Sequence, residues 1–438
     1  MISALGQRIH QIRWNLLGEP AQRKLLLCLL ANLSVAVAGR AALRLPRPAA
    51  GVGHLLLDAG QAASARDAAF HNAALMHART QDDFHPLGNL HIATVVLPAL
   101  LAQAEQLPVS GEAFLDALAA GYATAVGLSR RFSAVSSPRG LRSTCLYAGM
   151  GAAVAVARLR GQPAKGVANT LALASQSGFG TTQCWRDGSD EYQLHVANAA
   201  SQALLCAGLT DGGVVAGEHA LDGPCGFYPA LLGVTPKYQD IAADFEPNAA
   251  IVETVLKRYP VSGICQPVVR LSERLVPQLA GKAIERIRIE MNPFEMNYPG
   301  TLNAGPEFKS FSDRLMSARF CAGSVLEAGH FDFDAFLRSP SPALSRLISV
   351  TQVDPGADLG TLSCRIEITA TDGTRVPGEL LDGGQELAIG WDTIDAWCVD
   401  LWISAGRTPE AFARTRAAVL DLPGTGFTAL RNALLQPA

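Results

Sequence analysis

The stretch KRYPVSGICQP, residues 257–267, divides the chain into two kinds of sequence. Before it, from about residue 20, apolar residues recur at every third or fourth position, which is the spacing of one face of a helix. After it, the segment IERIRIEM places Ile287, Ile289 and Met291 in alternation, which indicates a half-buried strand. The change of period predicts a helical part that is followed by a smaller part containing a sheet.

The helical part is rich in alanine. The segments EAFLDALAAGYATAVGLSRRF (112–132), YAGMGAAVAVARLRG (147–161) and VANAASQALLCAGL (196–209) carry small residues on several sides. Such surfaces predict helices that pack closely against other helices. The apolar run LLLCLLANLSVAVAG (25–39) is shorter than the stretch that a transmembrane helix needs, so we interpret it as a buried core helix.

The part after residue 267 mixes helix and strand. SCRIEITATDGTRV (363–376) predicts a second strand with its turn at Asp372–Gly373, and FSDRLMSARFCAGSVLEAG (311–329) predicts a helix. The last fifty residues return to the helical pattern. We therefore predict a mainly α fold, in which a large all-helical domain is built from both chain ends, residues 1–261 and 386–438, and a smaller α+β lid domain spans residues 262–385.

Composition excludes several classes of function. The chain has 438 residues, is 49% hydrophobic and carries a net charge of −3, so it lacks the basic excess that nucleic-acid binding needs. Its nine cysteines form no CxxC pair and no zinc-ligand spacing, which favours reduced thiols and a cytoplasmic protein. We predict no membrane partner and no nucleic-acid partner.

The segment HARTQDDFHPLGNLH (77–91) gathers titratable groups in a chain that is only 17% charged. Together with His71, it holds four of the nine histidines within twenty-one residues. Histidine is the natural base near neutral pH, and adjacent carboxylates can orient an imidazole. The spacing matches no tight helical metal motif, so we predict no metal. The alternative interpretation is that these groups only cap helices and solvate a loop.

Several segments resemble the MmgE/PrpD family, and they occur in the family's order. DAAFHNAALMHARTQDD (67–83) resembles the hallmark in which an Asn and a His precede an acidic cluster, and HIATVVLPALLA (91–102) resembles the helix that follows. DGSDEYQLHVANAA (187–200) is similar to the segment that opens the family's central helix. KRYP and the 311–329 segment continue the series.

The resemblance implies a function as well as a fold. Family members include 2-methylcitrate dehydratase, cis-aconitate decarboxylase and iminodisuccinate epimerase. They are implied to be homodimers with a cofactor-free site between two domains. Their substrates are small polycarboxylates, and a proton moves beside a carboxylate, usually with loss of water or CO2.

The chain departs from the family pattern at several motif positions. The family's acidic motif usually reads LDFDD, whereas RTQDD stands at residues 79–83, so its first acid falls on Thr80. Arg142 stands where a family histidine is usual, and Tyr192 stands where a lysine is usual. Gln266 replaces another histidine, and Phe320 replaces a tyrosine.

These matches assign roles to particular residues. We expect His91 to be the base, with His77, Asp82 and Asp83 orienting it or sharing its work, and Tyr192 to donate to the developing enolate. The residues assigned to substrate binding are Arg142, which suits a carboxylate, together with Thr80 and Gln266. The catalytic residues and Arg142 are expected to line one cleft at the domain boundary.

Three hypotheses follow from the sequence. The first is a cofactor-independent lyase, a hydratase, dehydratase or decarboxylase, acting on a small di- or tricarboxylate. The second is an epimerase or isomerase that uses the same proton abstraction. The third is a family member that has lost catalysis and binds a carboxylate metabolite or a partner protein, which the replaced motif residues favour.

Overall fold

A computed structural model describes residues 1–305 and 307–436, and it confirms that the protein is mainly α. Its helices, in chain order, are α1 (Ile2–His10), α2 (Glu19–Ala38), α3 (Ala65–Ala78), α4 (Ala93–Ala104), α5 (Gly111–Ser129), α6 (Ser133–Ser136), α7 (Gly149–Leu159), α8 (Ala164–Ala174), α9 (Gln183–Asp187), α10 (Glu191–Asp211), α11 (Tyr238–Asp244), α12 (Pro247–Val252), α13 (Gln266–Leu279), α14 (Pro293–Met296), α15 (Phe311–Met316), α16 (Ala318–Ala328), α17 (Phe333–Leu337), α18 (Pro342–Ser349), α19 (Gly383–Glu386), α20 (Ile394–Ser404), α21 (Pro409–Leu420), α22 (Leu422–Thr425) and α23 (Phe427–Leu435).

The strands form two small sheets. They are β1 (Ala50–Leu55), β2 (Gln61–Ala62), β3 (Ile284–Met291), β4 (Thr351–Pro355), β5 (Cys364–Ala370) and β6 (Arg375–Leu380). β1 pairs with β2, and the other four strands form a sheet in the order β4-β3-β5-β6. β3 is parallel to β4 and antiparallel to β5, and β5 and β6 make a hairpin.

The chain divides into two compact units. The first comprises Met1–Thr181, Gln193–Val255 and Gly390–Ala438, and the second comprises Thr182–Tyr192 and Leu256–Ile389. In the first unit α5 packs against α7, and the C-terminal helices α20 and α21 pack against α2. The Trp402 indole nitrogen donates to Ser34 Oγ at 3.0 Å, which ties the C-terminal part of this unit to α2.

Helix α2 is the apolar run that the sequence suggested as a core helix. With the turn that follows it, Glu19–Ala42 is long and apolar enough to cross a membrane by length and composition. However, 83% of its most apolar window is buried inside the protein. Buried core helices of this length meet the same criteria of length and composition, so these criteria are only weak evidence for a membrane span.

The second unit places helices against its four-stranded sheet. α13 packs on β5 and β6, and residues of β5 alternate between buried and half-buried positions, with Ile366 and Ile368 inside. The predicted strands at 284–291 and 363–376 are confirmed as β3 and the β5–β6 hairpin. The predicted helix at 311–329 is two helices, because Ser317 leaves the helical conformation and caps α16 by accepting from Phe320 N.

Two features differ from the expectation of an all-helical larger part. The β1–β2 pair lies in the first unit, in a stretch whose glycines and short length hid the strand pattern. The segment Thr182–Tyr192 belongs to the second unit, although its neighbours on both sides belong to the first. Periodicity reports the local conformation of a segment, and it carries no information about which unit the segment packs into.

Candidate active site

Helix α3 is held at its centre by polar contacts with the end of β1 and with the loop that follows it. Asn72 Oδ1 accepts from Leu57 N at 2.9 Å, and its Nδ2 donates to Leu55 O at 2.8 Å. One residue earlier, His71 Nε2 lies 3.1 Å from the buried carboxylate of Asp58. The hallmark asparagine thus fixes α3 in place, and His77 in the last turn of this helix is positioned by that scaffold.

Asp83 joins three helices of the first unit. Its Oδ1 accepts from Ala93 N at 3.0 Å, at the start of α4, and its Oδ2 accepts from the Tyr122 hydroxyl of α5. Its backbone nitrogen donates to Asn32 Oδ1 of α2 at 3.0 Å. Burial raises the pKa of the Asp83 carboxyl to about 6, although these donors oppose the shift. The side chain of Asp83 is therefore engaged in holding the scaffold together.

Asp82 bridges two histidines. Its Oδ1 lies 2.9 Å from His77 Nδ1, and its Oδ2 lies 3.1 Å from His91 Nδ1. The carboxylate is fully buried, and the two imidazole rings stand 4.8 Å apart between centroids at an angle of 60°. A single anion is thus placed to orient both rings and to stabilise a positive charge on either of them.

Arg142 fixes the protonation of His77. Its Nη2 lies 2.5 Å from His77 Nε2, and a guanidinium can only donate hydrogen bonds. His77 Nε2 therefore accepts, and the ring proton sits on Nδ1, from which it is donated to Asp82. Burial lowers the pKa of His77 to about 3, with Arg142 adding to the effect and Asp82 opposing it. His77 is neutral at physiological pH and is suited to positioning its neighbours.

His91 is the second histidine beside Asp82, and its own contacts define its tautomer. Its Nδ1 lies 3.1 Å from the Asp83 carbonyl oxygen and also 3.1 Å from Asp82 Oδ2, and both are acceptors. Nδ1 therefore carries the proton in the neutral ring, and Nε2 carries the lone pair. Its backbone nitrogen donates to Thr144 Oγ1, at the start of the π-helical turn Thr144–Ala148. The side chain is 22% exposed, so a small molecule can reach it.

His85 lies in the same loop and is fully buried. Its Nδ1 accepts from Gly88 N at 3.0 Å, so its proton is on Nε2, which lies 3.3 Å from Glu253 Oε2. Next to it, Phe84 and Val255 exchange both backbone hydrogen bonds. Burial lowers the pKa of His85 to about 4. His85 therefore anchors the loop that carries Asp82 and Asp83.

We expect the unfolding free energy of His85→Asn to fall less steeply at acidic pH than that of the wild type. Because the folded pKa is about 4 and the unfolded value is near 6.5, only the unfolded chain binds this proton between those pH values. Stability from this group is present above pH 6.5 and is lost as the pH falls. Asparagine keeps an acceptor for Gly88 N but does not titrate. Denaturant titration at about pH 7.5 and pH 5 measures the effect. Between these two pH values the unfolding free energy of the variant should fall by about 2 kcal/mol less than that of the wild type. Equal losses in the two proteins would contradict this assignment.

The other residues expected at the site occupy different surroundings. Thr80 is buried with a φ of +48°, a left-handed conformation that costs a β-branched residue about 1–2 kcal/mol. Tyr192 lies in the second unit, where it packs against Trp185 with 4.9 Å between ring centroids. Gln266, also in that unit, exchanges hydrogen bonds with the backbone of Tyr259, which favours a structural role. The substrate-binding roles of Thr80 and Gln266 and the catalytic role of Tyr192 stay predictions.

The cluster of His77, Asp82 and His91 brings three possible metal ligands within 4.8 Å of one another. A metal bound through His77 Nδ1 would leave the ring proton on Nε2. That proton would then face Arg142 Nη2, itself a donor, at 2.5 Å. The observed contacts therefore favour hydrogen bonds over metal ligation at these three residues.

Sequence reasoning missed three residues that belong to this network. His195 of α10 lies 3.3 Å from Arg142 through its Nδ1, while Asn32 and Tyr122 hold Asp83 from α2 and α5. Asn32 and Tyr122 are polar groups among the buried apolar residues of α2 and α5, which is the signal that could have found them, whereas α10 carries several other polar residues and gives no such signal for His195. A polar group buried in a helix bundle needs a partner.

The first unit is thus a helical scaffold around an aspartate-bridged histidine pair and a buried arginine, an arrangement suited to acid–base chemistry. A model of the MmgE/PrpD N-terminal domain matches residues 3–239, which is more than half of the chain, and the protein belongs to the MmgE/PrpD family. The chain is also similar to the cis-aconitate decarboxylase-like protein oryM of Aspergillus oryzae (strain ATCC 42149 / RIB 40), with 31% identity over 185 residues. That match covers 39% of this chain and 38% of the fungal protein.

Proposed function

We propose that the protein is a lyase that acts on a small di- or tricarboxylate by moving a proton at the carbon beside a carboxylate group. The observation that carries this proposal is the tautomer of His91. Its Nδ1 donates to the Asp83 carbonyl oxygen and lies 3.1 Å from the Asp82 carboxylate, so that Nε2 is the basic nitrogen of a partly exposed ring. Membership in the MmgE/PrpD family and the similarity to a decarboxylase-like protein support the same class of reaction.

In this mechanism His91 Nε2 removes a proton from the carbon beside a substrate carboxylate. The resulting imidazolium is stabilised by the Asp82 carboxylate at 3.1 Å. The electron pair left on carbon spreads into the substrate carboxylate, which gains negative charge. Arg142, whose guanidinium contacts the rings of His77 and His195, supplies a cation for that charge.

Epimerisation is the second candidate, because Arg142 contacts two imidazoles and a two-base reaction needs more than one proton-handling group. It would begin with the same proton abstraction and end with a proton returned to the opposite face. The products separate the candidates: a lyase forms or removes a double bond with water or CO2, and an epimerase gives the same compound with one centre inverted.

The direct test is a panel of carboxylic acids that includes citrate, (S)-malate and cis-aconitate. Binding should raise the melting temperature, since a ligand that binds only the folded state stabilises it by mass action. NMR of the same mixtures should then show loss or addition of water, or release of CO2. Binding without any conversion would support the non-catalytic alternative, and the absence of both binding and conversion would contradict the proposal.

We expect Arg142→Lys to act mainly on substrate binding. Lysine keeps the positive charge but lacks the planar fork that grips a carboxylate through two parallel hydrogen bonds. Losing one charge-assisted bond should raise KM by about 10- to 100-fold, with a smaller effect on kcat. Steady-state kinetics on the best acid of the panel measures both. A lower kcat at unchanged KM would place Arg142 outside the binding of the substrate carboxylate.

The family resemblance adds two expectations. The protein should work in the cytoplasm without a cofactor, and it should form a homodimer. Helices that carry apolar residues on more than one face have more surface to cover than one domain provides. Analytical ultracentrifugation at micromolar concentration should show a species heavier than the 46.1 kDa chain, and a single species of that mass would contradict the dimer.

A further inference from the structure

Glu295 is a buried carboxylic acid of the second unit that the proposed reaction does not use. It lies in α14, just after β3, and only 5% of the residue is exposed. Its Oε1 accepts from Leu362 N at 2.9 Å. Its Oε2 is also buried and has no hydrogen-bond partner among residues 1–305 and 307–436. A buried polar atom without a partner is rare in a folded protein and needs an explanation.

The side chains of Asn292 and Glu295 bind α14 to the loop between β4 and β5, residues 356–363. Asn292, the residue that caps α14, donates through Nδ2 to Leu359 O at 2.7 Å. Glu295 accepts from Leu362 N, three residues further along the same loop. An asparagine amide does not ionise, whereas a glutamic acid does. The contact through Glu295 therefore responds to pH, and the contact through Asn292 does not.

The loop residue that Glu295 holds has a strained backbone. Leu362 is buried and has a φ of +56°, in the left-handed region that residues with a side chain rarely adopt. Such a conformation persists only where the surroundings hold it in place. Its carbonyl oxygen lies so close to Gly383 that a Cβ there would be 2.0 Å away. Loss of the hydrogen bond to Glu295 would thus free a residue that favours another backbone conformation.

The surroundings of Glu295 favour its protonated form. The charged side chains of the neighbouring elements pair with one another: Glu290 and Asp354 with Arg288, Asp358 with Arg365, and Glu386 with Arg274. The fully buried Cys364 thiol of β5 lies near Glu295, with Cys265 also close to it, and burial followed by Glu295 raises the pKa of Cys364, so this thiol is neutral. Burial raises the pKa of Glu295 itself to about 7, and the Leu362 N–H opposes this shift. Ionisation would therefore leave a buried anion whose hydrogen-bond donor is a single backbone amide.

We propose that Glu295 is a pH-sensitive switch of the second unit, which holds α14 against the β4–β5 loop when its carboxyl group is protonated and releases the loop when that group ionises. In the closed form Oε1 accepts from Leu362 N and the proton is on Oε2. A neutral hydroxyl group without a partner costs far less in this place than a carboxylate does. In the open form water solvates the carboxylate, the proton has passed to solvent, and Leu362 can leave the left-handed region.

The direction of the pH dependence follows from the two forms. The pKa of Glu295 is about 7 in the closed form, and it returns to the ordinary value of 4.5 when opening exposes the group to water. Between these values only the closed form keeps the proton, so each pH unit favours opening by about tenfold. Below pH 4.5 and above about pH 7 the dependence levels off. The loop is therefore held most firmly in acid and least firmly above neutral pH.

Hydrogen exchange of the Leu362 amide measures the opening in the intact protein without any substrate. After correction for the intrinsic exchange rate, we expect the opening equilibrium constant of the wild type to rise by about 30- to 100-fold between pH 5 and pH 8. The amide of Ile366, inside β5, should exchange more slowly at each pH. A constant at Leu362 that does not change with pH would overturn the proposal. Equal constants at Leu362 and Ile366 would show unfolding of the whole unit and would overturn it too.

Two substitutions of Glu295 test which group is titrating. Glu295→Gln keeps an acceptor for Leu362 N and cannot ionise, so its opening constant should change by less than about threefold between pH 5 and pH 8. Glu295→Ala removes the acceptor, and its opening constant at pH 5 should reach at least the wild-type value at pH 8. The matched control is Glu285→Gln, at an exposed position of β3, which should keep the wild-type pH dependence. A wild-type pH dependence in Glu295→Gln would assign the switch to another group and overturn the proposal.

Discussion

Replacing His91 by alanine should lower kcat by about 100- to 10,000-fold, which is the usual contribution of a general base. The side chain is 22% exposed, so water can replace its contact with Asp82, and the melting temperature should fall by only about 2 °C. Kinetics on the best acid of the panel and thermal unfolding of the same preparations measure the two effects. Loss of activity together with extensive unfolding would leave His91 as a structural residue, and full activity would remove it from the mechanism.

The control for this variant is His330→Ala. His330 is an exposed histidine of the second unit, and its Nδ1 lies 3.1 Å from the nearby Ala328 carbonyl oxygen. Its removal changes the histidine content of the protein by the same amount as His91→Ala. We expect kcat, KM and the melting temperature of His330→Ala to match those of the wild type.

Asp82→Asn should have an effect of similar size for a different reason. Arg142 holds the His77 proton on Nδ1, so the amide oxygen of the variant should face His77. The amide nitrogen, a donor, would then face His91 Nδ1 and oppose the proton that this nitrogen donates to the Asp83 carbonyl. The anion that stabilises the His91 imidazolium would also be lost, and we expect kcat to fall by about 1000- to 10,000-fold.

Asp83→Asn is a matched control for this change, because the two aspartates are adjacent and equally buried. Asp83 contacts His91 through its backbone carbonyl, which the substitution leaves intact. Its side chain bonds to Ala93 N and Tyr122, for which an amide offers an acceptor and a donor. We expect turnover to fall by less than about tenfold. If the two asparagine variants lose equal activity, the tautomer argument for Asp82 is wrong.

Local patterns predicted the elements of the fold well. Alternation at Ile287, Ile289 and Met291 marked β3, and the apolar run at 25–39 marked the buried α2. The patterns failed where the answer depends on distant residues. The break at Ser317 and the membership of Thr182–Tyr192 in the second unit follow from packing, which one local window of sequence does not contain.

The candidate site could be predicted only in part for the same reason. His77, Asp82 and His91 are close in sequence, and the structure brings them together as the clustering suggested. The tautomer of His77 depends on Arg142, which lies 65 residues further along the chain. Residue types alone indicated that acid–base chemistry was available, but only the contacts show which nitrogen of each ring carries the proton.

The central claim is that His91 removes a proton from carbon beside a carboxylate. The most direct measurement is deuterium incorporation from D2O into the remaining substrate, followed by NMR with citrate, (S)-malate and cis-aconitate as probes. We predict that the wild type places deuterium on the carbon next to a carboxylate of at least one acid, and that His91→Ala does not. Equal incorporation by both proteins, or none by the wild type with any of the three acids, would contradict the account.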